Sequence, residues 1–387
     1  MAIGIKIRPE VLGGRLKAAR ALRRLTQEAA AACLGVARTT IVAIEAGKRA
    51  IAPAELRVLA ELYDCPESEL LDVDRAELQM EVDFRMSARS NLAHEESGVA
   101  AMLHRLAASA VQLEQLVGQG PARLDLPDIS ISRTGSIEQQ AEDAALALRI
   151  RLGIGLGPIQ DLTALMEFEL GLRVFERPLP SKVSGAVAFD ASLGGFVLLN
   201  SLHPLYRRRV TAAHEIGHIL VRKPGLSIHF GDEQPIEREE RFFDLFGLAL
   251  LTPASAVRKK ADELQRMFGG FSVRQLLMMA VFFNVSIEAM TRRMTSLGLL
   301  KPGTFEQLRR KRVGQKHRER VVDDMPGMEQ APPFTPRTLL IAGIAFQRGL
   351  LSEQQLASML ELDLVTVRKA LEAGFGDVKE GALELAL

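Results

Sequence analysis

Residues 204–223 read Pro204-Leu205-Tyr206-Arg207-Arg208-Arg209-Val210-Thr211-Ala212-Ala213-His214-Glu215-Ile216-Gly217-His218-Ile219-Leu220-Val221-Arg222-Lys223. On an α-helix, residues four apart share a face with Cβ atoms about 6 Å apart, so the imidazoles of His214 and His218 reach one cation. Glu215 lies beside them, placed to hold and deprotonate a water. The surroundings favour a helix: Pro204 suits a first turn, Arg222 and Lys223 suit the negative end of the dipole, and Pro224-Gly225 stops the run. Gly217 in mid-helix costs about 1 kcal/mol relative to Ala, which a close backbone approach would explain.

A catalytic zinc has three protein ligands and one open position. A third His six residues after His218 is ruled out, because Pro224 stands there. His229 is a free candidate with no motif around it. The cluster Glu237-Arg238-Glu239-Glu240-Arg241-Phe242-Phe243-Asp244 is better, since it opens a strongly apolar helix ending at Pro253. Glu240 and Asp244 are four apart, so the first can ligate zinc while the second accepts a hydrogen bond from a ligand His. The spacing favours Glu240 and leaves Glu237, Glu239 and His229 open; as a bare helix start, acids there also suit the dipole.

Upstream, Leu172-Arg173-Val174-Phe175, Gly185-Ala186-Val187-Ala188-Phe189 and Gly195-Phe196-Val197-Leu198-Leu199-Asn200 are short β-branched and aromatic runs bounded by Gly, Pro and Asp. They predict a small antiparallel sheet, with Asp190 to Gly194 as a hairpin loop. Helices are expected over 137–152 and 158–171, and again from Pro204 to about 300. The strand Gly195–Asn200 offers an edge for an extended substrate, and Tyr206 or His203 could stabilise an oxyanion, although each also suits an ordinary helix start.

At the other end of the chain, residues 8–72 read as five short helices. Thr26-Gln27-Glu28 opens one, Leu34-Gly35-Val36-Ala37 is a glycine-containing turn, and Arg38-Thr39-Thr40-Ile41-Val42-Ala43-Ile44-Glu45 forms the next, ending at Gly47-Lys48-Arg49. This is a helix-turn-helix whose second helix enters the major groove by its N-terminal residues. Residues 8–57 hold ten Lys or Arg against four Asp or Glu, a net charge of +6. That local field suits the phosphates of a double-stranded DNA operator. Base contact falls to Arg38, Thr39 and Thr40, with Gln27, Lys48 and Arg49 as further DNA-binding candidates.

Composition frames these motifs. The chain has 387 residues, too many for one compact domain, with 47% hydrophobic and 25% charged residues; this excludes global disorder and fibrous repeats. Lys plus Arg (49) nearly cancels Asp plus Glu (48), so nucleic-acid binding must come from a local patch. Two cysteines without a CxxC pair point to a reducing, cytoplasmic setting, and neither a signal peptide nor a membrane span is expected. The domain expectations are 8–72 for the DNA reader, 73–135 for a helical connector and linker, 136–265 for the zinc domain, and 266–387 for a C-terminal helical region. In the connector, Val99, Leu103, Leu106, Ala110, Leu113 and Val117 form a seam that suits either a sister chain in a homodimer or the chain's own neighbouring domain. The basic run Arg309-Arg310-Lys311-Arg312 reads as a solvated linker more readily than as a nucleic-acid contact.

Two resemblances follow from these residues. Asn200, Arg207-Arg208-Arg209, Thr211 and His214 to His218, then Glu240, Asp244, Phe246, Leu250, Leu251 and Pro253, resemble the ImmA/IrrE family of zinc metallo-endopeptidases. The resemblance implies a gluzincin-like minimal metallopeptidase domain, one zinc per chain, and Glu240 as its third ligand. Phe243 replaces the family's usual Ala, Gly247 its second Ala and Thr252 its Met. Residues 10–72 resemble the XRE family of Cro/repressor-like helix-turn-helix domains, with Ala37 in place of the usual capping Ser. The fold class expected is therefore α+β: mainly helical, with one small sheet. The function implied is a DNA-binding regulator with gated endopeptidase activity that cleaves a transcriptional repressor or other partner protein in a stress or mobile-element response. The alternative is a non-catalytic transcription factor or antitoxin-like regulator whose zinc domain is a sensor or a partner-binding module.

Overall fold

The computed structural model describes residues 9–23, 25–65, 67–71, 93–120, 127, 129–221, 225–230, 237–310 and 334–375. The chain divides into two compact units, Met1–Gln112 and Leu113–Leu387. The first carries the five expected short helices: α1 (Pro9–Leu22), α2 (Gln27–Leu34), α3 (Arg38–Glu45), α4 (Pro53–Leu62) and α5 (Glu67–Leu71). Thr26 caps α2 by accepting from the Ala29 amide at 3.1 Å. Gly35 then takes φ of 66°, a left-handed turn that leads into α3. Leu16, Ala30, Ile41, Ile44, Leu59 and Tyr63 close the core. Beside them the buried Glu45 accepts from Arg20 and Gln27.

Helix α6 (Ala93–Leu116) starts in the first unit, and its last residues belong to the second. The seam residues Val99, Leu103, Leu106, Leu113 and Val117 are buried and Ala110 is half-buried. In the second unit, Ser136 caps α7 (Ile137–Arg151), and α8 (Leu162–Ala164) passes into a π turn, Leu165–Glu169. Strands β1 (Arg173–Arg177), β2 (Val183–Asp190) and β3 (Gly194–Asn200) precede α9 (Leu205–Val221), β4 (Gly225–Phe230) and α10 (Arg238–Leu251). Helices α11 (Ala254–Phe268), α12 (Val273–Phe282), α13 (Ile287–Ser296), α14 (Thr304–Arg310), α15 (Pro336–Gln347), α16 (Glu353–Met359) and α17 (Leu364–Phe375) complete the described chain. The fold is α+β, mainly helical with one four-stranded sheet. Among the described residues no single helix is long and apolar enough to cross a membrane.

The sheet corrects three expectations. It is mixed and not antiparallel: its order is β1-β3-β2-β4, and β1 runs parallel to β3. The residues between β1 and β2 carry the chain across two strand spacings of roughly 10 Å, which leaves room for β3 to insert between them. Strand β3 is therefore interior, with both its edges paired, so it cannot be the edge that receives a substrate. And the segment after α9 is not wholly helical, because Gly225–Phe230 pairs with β2 as the terminal strand β4.

Helix α9 packs on strands β2 and β3 of this sheet, and α10 packs on α9 at close range. A Cβ at Gly217 would lie 3.0 Å from the Phe243 ring, and one at Gly247 would lie 2.8 Å from the His214 amide nitrogen. The two glycines thus let the backbones approach where the site forms, which gives Gly217 the packing reason its position demanded. Buried guanidinium groups fix the far end of α10: Arg149 donates to the Leu250 carbonyl at 2.8 Å and Arg293 to the Thr252 carbonyl at 2.9 Å. The basic run of α9 is likewise internal, with Arg208 paired to Glu176 and Arg209 donating to the Ile159 and Gln160 carbonyls.

The C-terminal helices dock by buried charge. Arg173 and Arg337 both pair with Glu114, and the Arg337 amide donates to Glu167 at 2.8 Å. Burial pushes the Glu167 carboxyl up from about 4.5 to about 7, against the opposing pull of Thr335 and Arg337. The folded protein therefore holds this proton more tightly than the unfolded chain does. The stability it contributes is present below the ordinary carboxylate range and is lost as pH rises through about 7. Glu167→Gln should remove about 3 kcal/mol of that pH-dependent difference, read as a smaller change in urea midpoint between pH 4.5 and pH 8 than in wild type. An unchanged pH dependence would reject the assignment.

Candidate metal centre

Two turns of α9, the first turns of α10 and one residue of β4 converge on a single point. His214 Nε2 lies 3.1 Å from His218 Nε2 and 3.5 Å from Glu240 Oε2, and His218 Nε2 lies 3.6 Å from Glu240 Oε1. Helical spacing brings the two histidines onto one face, and the α9–α10 crossing brings in Glu240. Asp244, one turn further along α10, accepts from His214 Nδ1 at 2.8 Å. With an ion bound, that bond would keep the proton on Nδ1 and leave the Nε2 lone pair to the metal. Ligand atoms of His214, Glu215 and His218 lie within 4.8 Å of one another, as do those of His214, His229 and Glu240.

The donor set fits a divalent zinc: two imidazoles and a carboxylate of the kinds this ion selects, with a carboxylate behind one imidazole. Glu215 fits the neighbouring role. Its side chain is 1% exposed, and neither carboxylate oxygen has a hydrogen-bond partner among the described residues. A buried, unpartnered carboxylate is costly to maintain without a role. Burial pushes it up to about 8, against the pull of His214. Space is kept for it by Gly185 of β2, where a Cβ would lie 3.1 Å from Glu215 Oε1 and 2.8 Å from Thr211 Cγ2. Burial also opposes charge on His214, but the hydrogen bonds to Asp244 and Glu240 carry it up to about 10. For the half-buried Glu240, burial opposes the charge, but its bonds to His214 and His218 hold the carboxyl well below the usual carboxylate range.

The structure gives definite places to four residues around this point. Phe243, which stands where the resemblance leads one to expect Ala, lays its ring 3.9 Å, centroid to centroid, from His218. Asn200 is fully buried: it accepts from the Leu179 and Leu202 amides and donates to the carbonyls of Pro180 and Val183, closing the turn after β3. His203 engages Asn200 and the Ser181 carbonyl, so it serves that turn and not an oxyanion. His229 comes to the site on β4. Its signal was the alternation Leu226, Ile228, Phe230 against Ser227, His229, a strand period only six residues long.

In the first unit, Arg38, Thr39, Lys48 and Arg49 are exposed and Thr40 is half-buried. Arg38 pairs with Glu28 at 3.1 Å and Arg49 with Glu55 at 2.8 Å. Gln27 turns inward to Glu45, so of the six candidates it alone is engaged with a buried carboxylate. Ala37 offers α3 no side-chain cap. Of the basic run after 308, Arg309 and Arg310 are exposed at the end of α14, and residues 311–320 lie outside the described residues.

Comparison with known proteins agrees with this geometry. Residues 16–70 match the helix-turn-helix family, and residues 168–295, from the π turn through α13, match the peptidase family described as IrrE N-terminal-like domain. The chain thus carries a helix-turn-helix domain of the kind found in DNA-binding regulators, followed by a metallopeptidase-like domain. No curated protein matches it.

Proposed function

We propose that this protein is a DNA-binding transcriptional regulator whose second domain is a zinc-dependent endopeptidase, and that its substrate is a partner protein, a transcriptional repressor, cleaved in a stress or mobile-element response. The single observation that carries the enzymatic part is the convergence of His214, His218 and Glu240 around one point, with the unpartnered Glu215 carboxylate beside it. His214, His218 and Glu240 would hold the ion, one per chain, and Asp244 would orient His214. A zinc ion held there polarises a carbonyl oxygen and acidifies water.

The chain's own residues do the rest. Glu215 accepts a proton from the attacking water as the oxygen adds to the scissile carbonyl carbon, and passes it to the departing amine nitrogen as the C–N bond breaks. Its dry setting keeps the carboxylate poised for both transfers. An extended peptide would add to β4, the terminal strand that carries His229. At the operator, Arg38, Thr39 and Thr40 would read base edges from the start of α3, while Lys48 and Arg49 engage phosphates and Gln27 braces the helix through Glu45. Fusing the two domains raises the peptidase concentration beside any repressor bound nearby.

The test is metal analysis of purified full-length protein. Wild type should retain about one equivalent of zinc, and His214→Ala or Glu240→Ala should lose it under the same dialysis. Wild type without zinc, or Glu240→Ala with it, would overturn the ligand set.

A further inference from the structure

We propose that His229 is a fourth donor to the metal, carried in by the terminal strand and closing the position that hydrolysis needs. This rests on the reading of the site as a zinc centre and concerns how that centre is held at rest. The His229 ring centroid lies 4.0 Å from that of His214, with the planes tilted by 37°. Ligand atoms of His229, His214 and Glu240 all fall within 4.8 Å of one another. Two nitrogens bound tetrahedrally to zinc lie about 3.4 Å apart, so a small side-chain adjustment completes the coordination.

The backbone is built to deliver this residue. His229 pairs directly with Gly185, the same glycine whose missing Cβ leaves room over Glu215. Immediately beyond that pair the register slips: Val183 faces Phe230 while Gly185 faces His229, so β2 advances two residues where β4 advances one. Such a bulge bends the strand pair and re-aims a side chain. Among the described residues, neither ring nitrogen of His229 has a hydrogen-bond partner. The half-buried His229 ring thus stands against the His214 imidazole with the Glu240 carboxylate in reach, the company a metal ligand keeps.

Three imidazoles and a carboxylate form a closed, four-donor site, the pattern of a resting and not a working zinc. Withdrawal of His229 would open the face for water and substrate, so β4 supplies the gate that a peptidase attached to a regulator requires.

The experiment uses full-length protein loaded with Co2+ in place of zinc and follows its absorption spectrum in wild type, His229→Phe and His229→Cys. The Phe variant keeps a ring against His214 but no donor; the Cys variant offers a thiolate. Wild type should give four-coordinate cobalt bands insensitive to added azide. In His229→Phe the bands should shift and become azide-sensitive, and metal affinity by chelator competition should fall at least about ten-fold, the lower range for losing even an outer partner of a ligand. In His229→Cys a near-ultraviolet thiolate-to-cobalt charge-transfer band should appear, absent from wild type. Wild-type spectrum and affinity in the Phe variant, together with no charge-transfer band in the Cys variant, would overturn the proposal while leaving the zinc site intact. A wild type that takes up no cobalt would overturn the zinc site and this proposal together.

Discussion

Glu215→Gln protein should bind as much zinc as wild type and cleave its partner protein about 10²- to 10⁴-fold more slowly, the contribution of one positioned acid–base group. The amide has nearly the carboxylate's shape, so it fits the pocket beneath Gly185 and Thr211 without moving α9. It cannot accept the proton of the attacking water, and it has none to lend in the same form to the amine. Zinc should be retained because His214, His218 and Glu240 supply the ligand set without it. The check pairs zinc content with cleavage of a candidate repressor co-expressed with each variant. Loss of zinc with activity would make Glu215 a ligand. Undiminished regulation by the variant would favour the non-catalytic sensor.

Arg149→Met should lower the stability of the second unit by about 3–5 kcal/mol, since three buried carbonyls lose a charged donor at about 1–3 kcal/mol each. The Arg149 guanidinium is 1% exposed and donates to three backbone carbonyls, those of Leu250, Gly155 and Gly157. Burial pulls it down to about 10, which leaves it charged at neutral pH. Methionine fills much of the volume but strands all three acceptors in the interior, each at a cost of about 1–3 kcal/mol that partial relaxation reduces. Because Leu250 ends the helix that begins near Glu240, the metal centre should weaken with the fold. Arg149→Lys should not rescue it, since one ammonium cannot span three carbonyls in a planar fork. Chemical denaturation measures the first effect and chelator competition the second; a loss below about 1 kcal/mol would show that water satisfies those carbonyls instead.

The helical elements were legible because their signals are local. Thr26, Gly35 and Ser136 act within one or two turns of where they stand, as does the spacing of His214 and His218. The α-helical repeat converts that spacing directly into a shared face. Glu240 with Asp244 was legible for the same reason, although only the crossing of α9 and α10 shows that the four side chains meet. The basic run Arg207 to Arg209 illustrates the opposite case: three charges that suggest a surface are largely buried and spent on Ser184, Glu176, Ile159 and Gln160.

By itself, then, the amino-acid order determined a five-helix N-terminal reader, a helix presenting two imidazoles and an acid, and a second helix offering Glu240, all properties of short stretches of chain. Only the tertiary structure decided that β1 lies parallel to β3, that β3 is interior while β4 is terminal among the described strands, and that His229 reaches the site at all. Strand order and register depend on pairing free energy summed between segments far apart in sequence, so a six-residue strand has no distinctive local mark until its partner β2 is in place.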